Sequence, residues 1–284
     1  MSWDAHARPR RALLWLNLVC LDAPLVAICW QWLFARSFHF ILTAPEMAAL
    51  FLTAWFIYLV DRFSDSIFLA ADVPKSAREV FCQEHRQLWF FLVLSIALVD
   101  AGFVWFRLDS VTRTNGLILS TAAVLYLLVN NRFSRIWTFV PIKEITIGIL
   151  FAAGTLLVFA SHLTGARWTI GSAAMLFAVL CSLNCISIAF WERNLDLAQS
   201  KHSLATLWPR ARSLAPIVST IVAVVSALLG FLDPRLYALS ICLGFSALLL
   251  ALLNFLPFSR DERTALADLV LLTPFVFFVM ERIL

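Results

Sequence analysis

The sequence is short of charge and of glycine: 14% of its 284 residues are Asp, Glu, Lys or Arg, and eight are Gly. A soluble domain carries about a quarter of its residues as charge, so this chain has too little polar surface to clothe a water-exposed fold. It also lacks any Cys-x-x-Cys pair, and its five histidines are not spaced as zinc ligands. That excludes the common structural zinc and dithiol motifs, and the six cysteines, mostly inside apolar segments, read as lipid-facing or packing residues. No small-residue cleavage site follows the basic start MSWDAHARPRR, so the first apolar stretch reads as a retained helix and not as a signal peptide. The net charge of +4 does not imply nucleic acid, because basic residues flanking membrane helices account for it.

What fills the chain is apolar, at 62% hydrophobic residues. A membrane span takes roughly 20 such residues, which leaves room for about nine spans and no separate soluble domain. Apolar windows run over 12–33, 46–61, 88–106, 115–130, 142–162, 170–191, 214–232, 236–256 and 264–281. The fold expected is all-α: one polytopic transmembrane domain over 1–284, with nine helices embedded in the lipid bilayer.

Orientation follows from the basic residues. With the N-terminus inside, the segments 1–11, 62–87, 132–143, 192–213 and 257–263 all face inward and hold sixteen of the 22 Lys and Arg residues. The positive-inside rule therefore places the N-terminus in the cytoplasm, and a chain with no cleaved leader suits a bacterial inner membrane. Two inward connections, reaching to about 87 and about 213, are longer than the rest, and long loops between packed helices often carry function.

Those two loops follow the most informative motifs. The second window closes in Asp61-Arg62-Phe63-Ser64-Asp65, and the sixth in Glu192-Arg193-Asn194-Leu195-Asp196. Residues four apart share a helical face, and both helices run inward. Four carboxylates thus emerge at one membrane face. Such a cluster repels itself unless cations sit within it, and hard oxygen ligands beside basic loops suit Mg²⁺ shared with a phosphate group. Charged residues also mark where membrane helices stop, and each pair alone is explained that way. Two matched pairs on one side favour function.

The motifs DRxxD closing helix 2 and ERxxD closing helix 6 of a nine-helix chain resemble the UbiA superfamily of intramembrane prenyltransferases. Leu21-Asp22-Ala23-Pro24 resembles the family's Asp-x-Pro segment in helix 1, and Pro141-Ile142-Lys143 its Pro/Lys start of helix 5. The resemblance implies a helical bundle with a cytoplasmic-side active site. There Asp61, Asp65, Glu192 and Asp196 would bind Mg²⁺ and, with Lys143, act on an isoprenyl diphosphate donor. Arg62, Arg78, Arg132 and Lys201 would add positive charge to the diphosphate, and Asn184, two turns before Glu192, a neutral oxygen. Trp55, Phe56, Phe63, Tyr126, Phe190 and Trp191 are candidates to wall the allylic cation or to form an interfacial aromatic belt. The chain departs from the pattern in having Ile57 where the first motif usually has Asn, Tyr58 where a further Asp often stands, and Glu192 where Asp is usual.

The activity implied is Mg²⁺-dependent transfer of an isoprenyl group to an aromatic or other lipid-soluble acceptor. Alternatives are a membrane terpene cyclase, and a non-catalytic member that binds lipid or a partner protein, suggested by Ile57. Of the remaining acids, Asp22 lies within a span, whereas Asp100 and Asp268 are expected near solvated helix ends, with Asp268 paired to Arg263.

Overall fold

Long uninterrupted apolar runs leave the backbone one way to satisfy its own polar groups in hydrocarbon, and that is the helix. The computed structural model describes residues 11–67, 69, 72–162 and 167–283, and among them it contains helices and no strand. In chain order these are α1 (Arg11–Leu18), α2 (Asp22–Phe38), α3 (Ala44–Ile67), α4 (Ala77–Glu84), α5 (Arg86–Arg107) and α6 (Ser110–Arg132). There follow α7 (Ile136–Phe139), α8 (Lys143–Leu156), α9 (Arg167–Ala198), α10 (Leu204–Leu207), α11 (Leu214–Leu232), α12 (Tyr237–Leu253), α13 (Arg260–Leu269) and α14 (Thr273–Ile283). Arg8 and Arg10, counted above as basic inward residues, lie outside the described residues.

Eight helical segments are long and apolar enough to cross a membrane: α3, α5, α6, α8 with its 3-10 extension, α9, α11, α12, and α13 running through a 3-10 turn into α14. The chain is therefore a multi-pass membrane protein by the length and composition of its helices. The first window, expected as a single span over 12–33, is instead two helices. Cys20 adopts φ 57°, and the amide of Leu21 donates to Leu16 O at 2.8 Å, which closes α1 with a Schellman-type turn. Pro24, with no amide hydrogen, then falls in the first turn of α2, where none is needed.

The helix α9 is the axis of the bundle, packing on α8, α11, α12 and α13. Its fully buried Phe177 stacks on Trp30 of α2, centroids 4.6 Å apart, and the Trp30 indole donates to Leu271 O at 2.8 Å. Leu180, Leu239, Leu243 and Leu250 complete this core. Where α8 crosses α9, Gly148 lets the backbones meet: a Cβ there would lie 2.6 Å from Ser182 Cα. In contrast, α5 and α6 present Leu98, Trp105, Phe106 and Ile118 outward, more than half exposed. In water such faces would be an association surface; against lipid tails they are the solvated side.

Two features set up the site. The helices α3 and α9 run past the predicted window ends, to Ile67 and Ala198, so both acidic pairs sit on helix and not in loop. The two long connections are themselves structured, the first by α4 and the second by α10 and a 3-10 turn over Pro209–Ser213.

Candidate active site

Because side chains four apart point the same way on a helix, Asp61 and Asp65 of α3 line one cavity, and Glu192 and Asp196 of α9 line it too. The cavity encloses about 520 Å³. Lys143 and Glu144 enter from the first turn of α8, Arg78 and Glu79 from α4, and Gln199 and Lys201 from the segment after α9. Arg62 and Asn184 also line it. Arg132 does not: it ends α6 exposed, on the side of that last turn away from Asn131, whose Nδ2 donates to Ser64 Oγ of α3 at 3.0 Å.

The carboxylates divide into two kinds. Arg78 Nη2 donates to Glu192 Oε2 at 2.6 Å, and the Thr264 hydroxyl donates to Glu192 Oε1 at 3.2 Å. Lys201 Nζ donates to Asp65 Oδ2 at 2.9 Å and to Glu79 Oε1 at 3.2 Å. Asp61 and Asp196 take part in no ion pair among the described residues, although both lie within the influence of Lys143 and Lys201.

Glu79 is held three ways. It closes a capping box with Ser76, accepting from the Ser76 amide at 2.7 Å, and receives Gln199 Nε2 at 3.0 Å as well as Lys201. Burial works against its charge, but Lys201 and these hydrogen bonds win, and its carboxyl sits below the usual range. Burial likewise works against the Lys201 ammonium, and attraction to Asp65 and Glu79 outweighs it, raising the amine above its ordinary value. The two long connections are thus latched together, with Gln199 also donating to Pro74 O at 2.9 Å; the second is tied to α8 as well, where the Leu204 amide donates to Glu144 Oε1 at 3.1 Å.

From this polar end the cavity continues as an apolar trough lined by Ile57, Leu50, Ala97, Val104, Leu117 and Ile188. It follows α3 from Asp65 back to Glu46. At 1.5 Å per residue those 19 positions span roughly 28 Å, close to the thickness of a bilayer's hydrocarbon core. Midway, Asp100 interrupts the apolar wall, accepting from Thr53 Oγ1 at 2.9 Å.

Two readings of the acids need correction. Asp100 and Asp268 are not solvated at helix ends; each is 9% exposed and hydrogen-bonded. Nor does Asp268 pair with Arg263, whose Nη2 donates to Leu256 O at 2.8 Å; it accepts from Asn184 Nδ2 at 2.8 Å. Of the six aromatic candidates, Phe56 and Tyr126 line the cavity. Trp55 instead donates to Val19 O at 3.0 Å and Trp191 to Asn254 Oδ1 at 3.1 Å, while Phe63 and Phe190 fill separate packed clusters. Glu79, Glu144 and Gln199 were not singled out in the sequence; the spacing Ser76-x-x-Glu79 was the one legible signal, as a helix start.

Among the described residues no three His, Cys, Asp or Glu side chains are grouped closely enough to hold a metal ion unaided. The donors facing the cavity are nonetheless carboxylate oxygens, the kind hard cations take, and Mg²⁺ is ordinarily held by one or two carboxylates with water and substrate phosphate oxygens. The donor set fits an Mg²⁺ that arrives with a phosphorylated ligand. Comparison of the chain with models of known protein families, with curated proteins and with solved structures found no match to any of them.

Proposed function

We propose that the protein is an intramembrane prenyltransferase, moving an isoprenyl group from a polyprenyl diphosphate to an aromatic or other lipid-soluble acceptor. The observation that carries this reading is a single cavity with two acidic pairs and four cations, Arg62, Arg78, Lys143 and Lys201, at one end of an apolar trough as long as the membrane is thick. Its shape and chemistry match an amphiphile with a multiply charged phosphate head and a hydrocarbon tail.

The ion pairs suggest how the head group is received. In the free protein Arg78 and Lys201 neutralise Glu192 and Asp65. When the donor arrives, the same cations turn to the diphosphate oxygens, which they bind as charge-assisted donors. Asp61, Asp65, Glu192 and Asp196 would then hold Mg²⁺ jointly with the diphosphate, and the ion would stabilise the departing oxygens. Lys143, on the first turn of α8, adds positive charge to the same group. Phe56 and Tyr126 line the cavity, and their ring faces would attract an allylic cation, Phe56 without any lone pair to quench it. The latch between the two long connections keeps water from that cation once the donor is bound.

One reading competes. Ile57 stands in the cavity wall without a side-chain oxygen, and two of the four carboxylates are already neutralised, as a non-catalytic lipid-binding protein would allow. The deciding experiment is Mg²⁺-dependent release of diphosphate from geranyl, farnesyl and longer donors by purified wild type, Asp61→Ala and Asp196→Ala. Metal-dependent turnover lost in both variants is the expected result. Folded wild type that binds donors and releases nothing favours the non-catalytic reading.

A further inference from the structure

The trough is not apolar along its whole length. Eight residues before Asp61 on α3, or about 12 Å along the helix, Thr53 Oγ1 lies 2.9 and 3.1 Å from the two carboxyl oxygens of Asp100 on α5. Both residues line the cavity. Asp100 is the sole acid in the 22 residues of α5, and no ion pair holds it among the described residues. Between the charged end and this level α3 offers rings and aliphatic groups to the cavity, those of Tyr58, Ile57, Phe56 and Ala54. Further out the lining is polar again, with Glu46, Thr112 and Arg113.

A second observation falls at the same depth. Gln31 of α2 lines the cavity and is fully buried, and neither its Nε2 nor its Oε1 has a hydrogen-bond partner among the described residues. Its level follows from the packing of α2. Cys20 Sγ, just before that helix, lies 3.9 Å from Tyr58 O, and α2 and α3 are packed neighbours joined by the short connection 39–43, so they run antiparallel. From Asp22 to Gln31 is nine residues, or about 13 Å, which brings Gln31 to the level of Thr53 or just beyond it. An amide and a carboxyl thus form a polar belt partway along a hydrocarbon-lined passage. Hydrocarbon pressed against such groups strips them of hydration and returns nothing in exchange.

We infer that Gln31, Thr53 and Asp100 set the length of the donor's tail, and restrict the substrate to short-chain isoprenyl diphosphates of two or three isoprene units. The inference rests on the prenyl-transfer reading above. A diphosphate held among Arg78, Lys143 and Lys201 puts the first tail carbon near the level of Asp61. An isoprene unit adds four bonds to an extended chain, against three for a peptide residue, so it spans about 4.5 Å. Two units then end about 9 Å along the trough and stop short of Thr53, and three end about 14 Å along it, level with the belt. A fourth has to run past Asp100 and Gln31. Short tails meet only the rings and aliphatic groups of the inner section, whereas every longer tail lies against the amide and the carboxyl.

A series of donor lengths tests the inference. The kcat/KM of diphosphate release from geranyl, farnesyl, geranylgeranyl and longer diphosphates is measured, with the Kd of the unreactive S-thiolodiphosphate analogue of each. The proteins are wild type, Gln31→Leu, Asp100→Leu, the double variant Gln31→Leu/Asp100→Leu, and Asp100→Asn. For wild type we expect kcat/KM and affinity to fall about 100-fold from the farnesyl to the geranylgeranyl compound, the scale of two buried polar groups stripped of partners. In the double variant the drop should shrink to about fivefold or less, while Asp100→Asn, which keeps a polar side chain, should retain most of it. The ratio between lengths is the readout, because a variant that merely loosens the fold weakens all donors alike. Wild type that takes every length equally, or a double variant with the wild-type drop, overturns the inference and leaves prenyl transfer standing. Should the Asp100 variants not fold, Gln31→Leu decides, and an unchanged drop there overturns the inference in the same way. Wild type that binds the analogues with the expected drop and releases nothing supports the length limit for a lipid that is held and not turned over. Wild type that neither binds nor cleaves any of the compounds ends the prenyl-transfer reading itself, and the inference with it.

Discussion

Replacing Gly148 by Ala tests how the site is mounted on the bundle. The new methyl carbon would lie 2.6 Å from Ser182 Cα and nearer still to its amide nitrogen and hydroxyl, against ordinary contacts of 3.4–4 Å. Two of those three atoms are backbone, so no rotamer change relieves the clash, and α8 must back away from α9 by about 1 Å. Overpacking of this kind costs about 1–3 kcal/mol, and at about 2–4 °C per kcal/mol for a large domain the unfolding midpoint should fall by several degrees. The function should suffer more than the fold. The helix α8 begins with Lys143 and with Glu144, whose Oε1 holds the Leu204 amide at 3.1 Å, and a shift of about 1 Å takes that bond beyond hydrogen-bond range. Thermal unfolding in detergent and Mg²⁺-dependent diphosphate release, measured on the same preparations, provide the assay. Ser182→Gly in the Gly148→Ala background should restore only part of the loss, because the amide and Cα remain. A Gly148→Ala protein with unchanged midpoint and unchanged turnover would refute the close approach on which this reasoning depends.

Other outcomes follow from the same geometry. Arg78→Met leaves Glu192 buried with a hydroxyl as its remaining partner, and should cost about 3–5 kcal/mol, much of it recovered in the double variant Arg78→Met/Glu192→Gln; denaturation midpoints of the four proteins give the coupling. Trp30→Phe strands the carbonyl of Leu271 and should destabilise by about 1–3 kcal/mol, read as a lower unfolding midpoint with unaltered donor affinity. The latch between the two loops should depend on pH at both ends. Glu79 is held below its ordinary 4.5, so its contribution is full above that value and lost as pH falls through the lowered one. Lys201 is held above its ordinary 10.5, so its contribution is full below that value and lost as pH rises through the raised one. Protection factors of the α4 amides, that is exchange rates divided into the intrinsic rate at each pH, should therefore be highest between those limits, and Lys201→Gln should abolish the alkaline loss of protection.

The spans and the facing acidic pairs were legible because they rest on local rules. An apolar run of membrane length has to be a helix, and carboxylates four apart have to share a face, whatever the rest of the chain does. Even here locality had a limit: the window over 12–33 reads as one helix, yet the left-handed turn at Cys20 and the tie from Asn17 to Asp268 break it in two. What only the tertiary structure decided was which charges meet. Arg78 finds Glu192 across 114 positions, Lys201 finds Asp65 across 136, and Asn184 finds Asp268 across 84, while Arg132 is exposed and does not line the cavity. No spacing rule reaches so far, because these partners are set by how α3, α4, α9 and α13 pack. In a low-dielectric interior, packing alone determines whether a charge is satisfied by a neighbour or left open to a ligand.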